Sequence, residues 1–254
     1  MIKCFYVNGD SFSFGSELGL NSAWFEKTSF NEFTEYHRKN CYSGIIADQL
    51  KIEEYINNSL PGGSNERIYR CILSDIASLL EKYNSDEIFV TISLSSPLRR
   101  EFWRSDLEQW LLYIVPHDPP KTDHVNYEFW KMFTKNFGSD VGFYNFDIMM
   151  ILAIQNFLIK NKIPYLLTTS MNNTAEDVIR NKLIPKNILD QIYTFRCIIN
   201  PSFMIFNRDT NSGVGPNHHP LEKGHRAWAD YLLEYIKNNN LLTNQDLSTN
   251  LNIY

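Results

Sequence analysis

Residues 87–94 (EIFVTISL) limit the folds open to this chain more than any other stretch. They are apolar at the centre without alternation, so a strand made from them has both faces buried. That condition is met inside a mainly parallel sheet covered by helices on both sides. Similar short apolar runs occupy residues 2–7 and 163–169, and residues 54–59 read as a further strand. Between them, residues 41–50, 66–83, 140–160 and 220–238 carry the i, i+3, i+4 apolar spacing of helices packed on one face. Strand, helix, strand, helix at these spacings predicts a single doubly wound α/β domain over 1–254, with no linker and no internal repeat.

The remaining segments are less regular. Residues 16–39 read as a loop or lid with a short helical piece, and 175–193 as one or two short helices. Residues 197–206 read as an edge strand or extended segment, and the polar tail covers about 239–254. Residues 99–139 form an aromatic-rich insertion read as irregular, because Pro116, Pro119 and Pro120 forbid one long helix. An insertion of that length reads as a lid or interaction surface.

Composition narrows the partners. The 254 residues carry a net charge of −5, with lysine and arginine dispersed, so the basic stripe of a nucleic-acid-binding protein is missing. No secretory signal is expected at the N-terminus, and no window is read as approaching the roughly 18 apolar residues that span a bilayer. The expectation is a cytoplasmic protein without membrane attachment. Cys4, Cys41, Cys71 and Cys197 are far apart and form no CxxC pair, so reduced thiols and no metal or other cofactor are expected. Oligomeric state leaves no mark in the sequence.

The chemistry-bearing residues stand at the ends of the first three expected strands. Gly9-Asp10-Ser11 closes the first, Pro61-Gly62-Gly63-Ser64-Asn65 the second and Ser95-Ser96-Pro97 the third. In a parallel sheet these C-terminal turns lie side by side, where α/β proteins bind ligands. Ester hydrolysis needs a nucleophilic hydroxyl, a base and N–H donors aimed at the developing oxyanion. Ser11 offers the hydroxyl and its own N–H, and Gly62 or Gly63 a backbone N–H. A base appears late, in Gly215-Pro216-Asn217-His218-His219-Pro220, where His219 precedes a helix and is fixed by the proline after it. The plainer reading makes Ser11 a helix N-cap and the histidines a solvated turn.

Gly9-Asp10-Ser11, Ser59-Leu60-Pro61-Gly62-Gly63 and His219-Pro220 followed by Gly224-His225 together resemble the blocks of the SGNH (GDSL-like) hydrolase superfamily, in the family's order and over essentially the whole chain. The resemblance implies a flavodoxin-like three-layer α/β/α fold. It also implies attack on esters of lipids or sugars, with Ser11 as nucleophile, His219 as base and a glycine N–H in the oxyanion hole. Two positions depart from the pattern. The family's oxyanion asparagine after the third strand is replaced by Ser95-Ser96-Pro97; Asn65 on the neighbouring turn, or a hydroxyl of Ser95 or Ser96, could take its place, and Asn65 serves equally as a helix-start residue. The aspartate three residues before the histidine is replaced by Pro216, leaving Asn217, a backbone carbonyl or a remote carboxylate such as Asp209 to hold the imidazole. Asp10 joins Ser95, Ser96 and Asn217 as a supporting candidate.

The second and third blocks also look like SGNH-like proteins of tailed bacteriophages, in keeping with an amino-acid usage of AT-rich coding. Arg67, Arg70, Arg99 and Arg100 lie just beyond the active edge, either as anion binders or as solvated charges. Two classes of function follow. One is a serine esterase or carbohydrate deacylase acting on a small-molecule or carbohydrate ester through a Ser11–His219 dyad or atypical triad, with acyl transfer as a variant. The other is a degenerate SGNH-like module serving as a phage virion or host-interaction component.

Overall fold

The computed structural model describes residues 1–19, 30–114, 124–137, 140–171, 185–192, 194–198 and 200–243. Five strands make one parallel sheet: β1 (Cys4–Asn8), β2 (Glu54–Asn57), β3 (Ile88–Leu94), β6 (Tyr165–Thr169) and β7 (Cys197–Ile198), in the order β2-β1-β3-β6-β7. Two further strands, β4 (Arg99–Arg104) and β5 (Gln109–Ile114), pair antiparallel as a separate hairpin. With the hairpin set aside the order is 2-1-3-4-5, that of flavodoxin-like sheets, whose ligand crevice opens at the carboxyl ends of the first and third strands.

Side-chain alternation along β1 sorts the core into two layers. Cys4 and Tyr6 face Ile68, Ile72 and Ile76 of α4 (Asn65–Leu79), and Ile148, Ile151 and Ile154 of α6 (Asp140–Lys160). Phe5 and Val7 face Tyr42, Ile45 and Ile46 of α3 (Tyr42–Gln49), and Trp228, Leu232 and Ile236 of α9 (Glu222–Asn238). The result is the expected α/β/α sandwich. The smaller helices are α1 (Ser11–Phe14), α2 (Phe30–Asn40), α5 (His124–Phe137), α7 (Lys186–Ile192) and α8 (Phe203–Asp209).

Three local expectations change. The insertion at 99–139 is ordered rather than irregular over its described part: β4 and β5 form a hairpin, and α5 begins after the prolines. Cross-strand pairing supplies what local propensity did not indicate. Residues 197–206 contribute only a two-residue strand before Ser202 caps α8. Gly142–Lys160 within α6 is long and apolar enough to cross a membrane by length and composition, contrary to the expectation from the sequence. Half of that window is buried, with one face in the core beside the sheet. Residues 20–29, 115–123, 138–139 and 172–184, which belong to the expectations for 16–39, 99–139 and 175–193, and the tail from 244 lie outside the described residues.

Candidate active site

β1 ends in a tightly fixed turn. Asp10 caps α1 by accepting from the Phe12 N–H at 3.0 Å, and Gly15 closes this one-turn helix in the left-handed region at φ 84°. Gly9 is required by close approach: a Cβ there would lie 2.7 Å from Ser13 Oγ and 3.0 Å from Ser93 Cβ. The second oxygen of Asp10, fully buried, accepts from Ser170 Oγ at 2.7 Å, Arg99 Nη1 at 3.0 Å and Ser95 Oγ at 3.1 Å. Burial raises the Asp10 pKa, against the pull of the Arg99 guanidinium and the hydroxyl donors. Residues from the ends of β1, β3 and β6 and from the hairpin therefore converge beneath Ser11. Ser11 is 4% exposed, and as the first helical residue its N–H has no intrahelical acceptor.

The histidine is held by a residue the sequence reading missed. Glu17, itself at φ 69°, places its carboxylate inside the loop 213–220. One oxygen accepts from Asn217 N at 2.8 Å and Asn217 Nδ2 at 3.1 Å; the other accepts from His219 N at 3.0 Å and stands 3.0 Å from His219 Nδ1. Burial of Glu17 works against ionisation, but the Asn217 and His219 amides and the imidazole outweigh it, and the pKa is lowered. An ionised carboxylate only accepts, so His219 carries its proton on Nδ1 and leaves Nε2 free to accept. Asn217 thus helps hold Glu17 rather than the imidazole ring, and Asp209 pairs with the adjacent Arg208 on the surface. Gly215 makes room for the carboxylate, since a Cβ there would come within 2.8–2.9 Å of it.

The His219 ring lies 5.1 Å, centroid to centroid, from Phe12, which follows Ser11. No hydrogen bond joins Ser11 Oγ to the ring among the described residues. Such catalytic contacts are often long before substrate binds.

The two other turns divide into committed and free donors. Gly63 N–H donates to Leu60 O at 2.8 Å, whereas the N–H of Gly62, at φ 80°, has no protein acceptor among the described residues. The Asn65 carboxamide is fully engaged: its oxygen accepts from Ser95 N at 2.8 Å, and its nitrogen donates to Ser95 O at 3.0 Å and to Asp147. It therefore pins the Ser95 turn. Ser95 Oγ is held by Asp10 and Arg99, but among the described residues Ser96 Oγ only accepts, from Leu98 N at 3.3 Å, and has its proton to offer. The four arginines are all paired inside the protein: Arg67 with Asn8 and Asn58, Arg70 with Glu101, Arg99 with Asp10 and Arg100 with Glu66.

His225, which completes the late motif, has a different job. It is fully buried against Tyr42 and Phe203, accepts from Tyr42 N at 3.2 Å, and burial pushes its pKa down to about 3. It is a neutral core histidine. No group of three or more His, Cys, Asp or Glu side chains with metal-site geometry occurs among the described residues. A cavity of about 440 Å³ between α8 and the loop 213–220 touches His218 and Pro220, but neither Ser11, Gly62 nor His219 lines it.

The fold is that of the GDSL/SGNH esterases and lipases. It aligns with TesA at a TM-score of 0.51 and 12% identity, covering 92% of this chain and 98% of TesA. It aligns with the acetyl xylan esterase AlAXEase at 0.50 and 14% identity, covering 92% and 99%. The psychrotrophic esterase EstA from Pseudoalteromonas sp. gives 0.50 and 12%, covering 94% and 98%. The chain belongs to a family of unknown function, DUF6071, whose model matches residues 26–249. No curated protein matches it.

Proposed function

We propose that the protein is a serine ester hydrolase in which Ser11 attacks, His219 Nε2 takes the hydroxyl proton and Glu17 fixes the imidazole. The observation that carries this reading is the Glu17–His219 pair, which supplies from the turn after α1 the carboxylate missing three residues before the histidine. In the acylation step Ser11 Oγ bonds to the ester carbonyl carbon, and its proton passes to His219 and on to the departing alcohol. Water, deprotonated by His219, then releases the acid. Ser11 N–H, Gly62 N–H and the Ser96 hydroxyl are the donors assigned to the oxyanion; the Asn65 and Gly63 donors are engaged elsewhere. The neighbours' esterase activities support the same reaction class. The substrate is a small-molecule or carbohydrate ester.

A second reading, a binding module that has lost catalysis, is favoured by serine at the family's asparagine position and by the absent Ser11–His219 hydrogen bond. Hydrolysis of p-nitrophenyl acetate separates the two: turnover that disappears in Ser11→Ala and in His219→Ala supports the enzyme, and turnover unchanged in both variants rejects it.

A further inference from the structure

We infer that the outer face of the β4–β5 hairpin is a subsite for the glycan part of an ester substrate, with Trp103 and Trp110 as its sugar-stacking platform. Register puts Arg99, Glu101 and Trp103 on one face of the hairpin with their partners Ile114, Leu112 and Trp110. This face starts at the candidate site. Arg99 is bonded to Asp10, which caps the helix carrying Ser11, and Leu112 Cδ2 lies 3.0 Å from where a Gly62 Cβ would stand. It ends at the two indoles, which meet edge to face at 5.7 Å and remain 50% and 41% exposed. Four residue steps along extended strand separate Arg99 from Trp103, about 13 Å at roughly 3.3 Å per step. That is the reach of a short oligosaccharide whose acylated ring sits at Ser11.

The chemistry of the face selects a neutral glycan. Two half-exposed indoles side by side offer flat apolar surface to the C–H faces of sugar rings. The Arg70 guanidinium, 40% exposed beside the Trp110 ring, adds hydrogen-bond donors at their edge. The charges around the indoles are balanced locally: Arg70 pairs with Glu101 and lies 4.6 Å over the Trp110 ring, and Arg104 pairs with Asp106. Among the described residues the face therefore lacks the unpaired positive charge that anionic lipid or nucleic acid would need. The opposite face is stiffened by packing, with Phe102 within 5.1–5.8 Å of Tyr113, Phe129 and Phe133, so the platform is preformed.

The role of the glycan as substrate rests on the esterase reading, so binding and turnover are measured separately. Binding of xylohexaose, mannohexaose and chitohexaose to Ser11→Ala is followed by tryptophan fluorescence and calorimetry, beside Ser11→Ala carrying Trp103→Ala and Trp110→Ala. Turnover of partly acetylated forms of the same oligosaccharides is compared with that of p-nitrophenyl acetate. The expected result is binding to at least one hexasaccharide, weakened tenfold or more by the tryptophan changes. In the active protein those changes raise KM for the acetylated oligosaccharide about as much and leave p-nitrophenyl acetate turnover within twofold. If no ester is turned over but the hexasaccharide still binds through the tryptophans, the subsite stands and the catalytic reading fails. No binding of any hexasaccharide by a protein that does hydrolyse p-nitrophenyl acetate overturns the subsite. So does binding to neutral phosphatidylcholine vesicles that is lost in the tryptophan variant.

Discussion

Glu17→Gln is the substitution that tests the assembled site most severely. The wild-type carboxylate accepts four hydrogen bonds, two on each oxygen. Glutamine has one oxygen. If that oxygen keeps the Asn217 donors, the new NH₂ faces the His219 amide and ring, and Nδ1 can pair with it only as an acceptor. The proton then moves to Nε2, the tautomer that cannot take a proton from Ser11. Loss of the carboxylate partner lowers turnover by about 10⁴ in serine enzymes built this way. With two charge-assisted bonds lost at about 1.5–3 kcal/mol each and partial relaxation of the loop, unfolding stability falls by about 2–4 kcal/mol. The assays are p-nitrophenyl acetate kinetics, denaturant unfolding and ¹⁵N shifts of the His219 ring. A variant within threefold of wild-type kcat whose ring still carries its proton on Nδ1 would show that Glu17 does not set the tautomer. Acid acts on the same contacts: because the folded pKa of Glu17 is lowered, its stabilisation is complete above the unfolded value and disappears as pH falls through the folded one.

Other perturbations read out separate parts of the structure. Arg99→Met leaves the buried Asp10 carboxylate without its cation and is expected to cost about 3–5 kcal/mol in urea unfolding, unless Asp10 takes up a proton, which would appear as a steep pH dependence. Gly215→Ala pushes a methyl group against the Glu17 carboxylate, so activity should fall at least tenfold while the circular dichroism spectrum is retained. Gly224→Ala places a Cβ 2.0 Å from Asn207 Oδ1 and should destabilise by about 1–3 kcal/mol or more, measured as a lower Tm. His225, neutral in the fold with a pKa of about 3 against about 6.5 unfolded, binds its proton only on unfolding between those values. Its contribution to stability therefore decreases as pH falls below 6.5, by about 2 kcal/mol at pH 5. Thermal unfolding across pH 5–7 should show this slope, and His225→Gln should flatten it.

The layered fold was legible because β1, β3, α4 and α9 each carry a local pattern whose period matches their burial. The three parallel-sheet turns and His219 were legible for the same reason: they follow strand ends or precede a helix. The orienting acid was not. Glu17 acts through a left-handed backbone conformation and a partner 202 positions away, and nothing around it in sequence marks either. Gly215 was the available signal, since a glycine three residues after Ser212 and just before Pro216 leaves space that some side chain has to fill. Asn65 was read as either a donor or a helix-start residue; the structure gives it both faces of the Ser95 turn to hold, a relation between two strand ends that spacing cannot express. The hairpin at 99–114 escaped notice because neighbouring arginines and aromatics blur its alternation, and cross-strand pairs such as Trp103 with Trp110 define it instead.

The proposed activation of Ser11 through His219 and Glu17 is read directly from the mass and site of the adduct formed with a fluorophosphonate. A single adduct is expected on Ser11, absent in Ser11→Ala and formed at least a hundredfold more slowly in His219→Ala and Glu17→Gln. Folded protein that stays unlabelled, or that is labelled on another residue at a rate indifferent to His219 and Glu17, would contradict it.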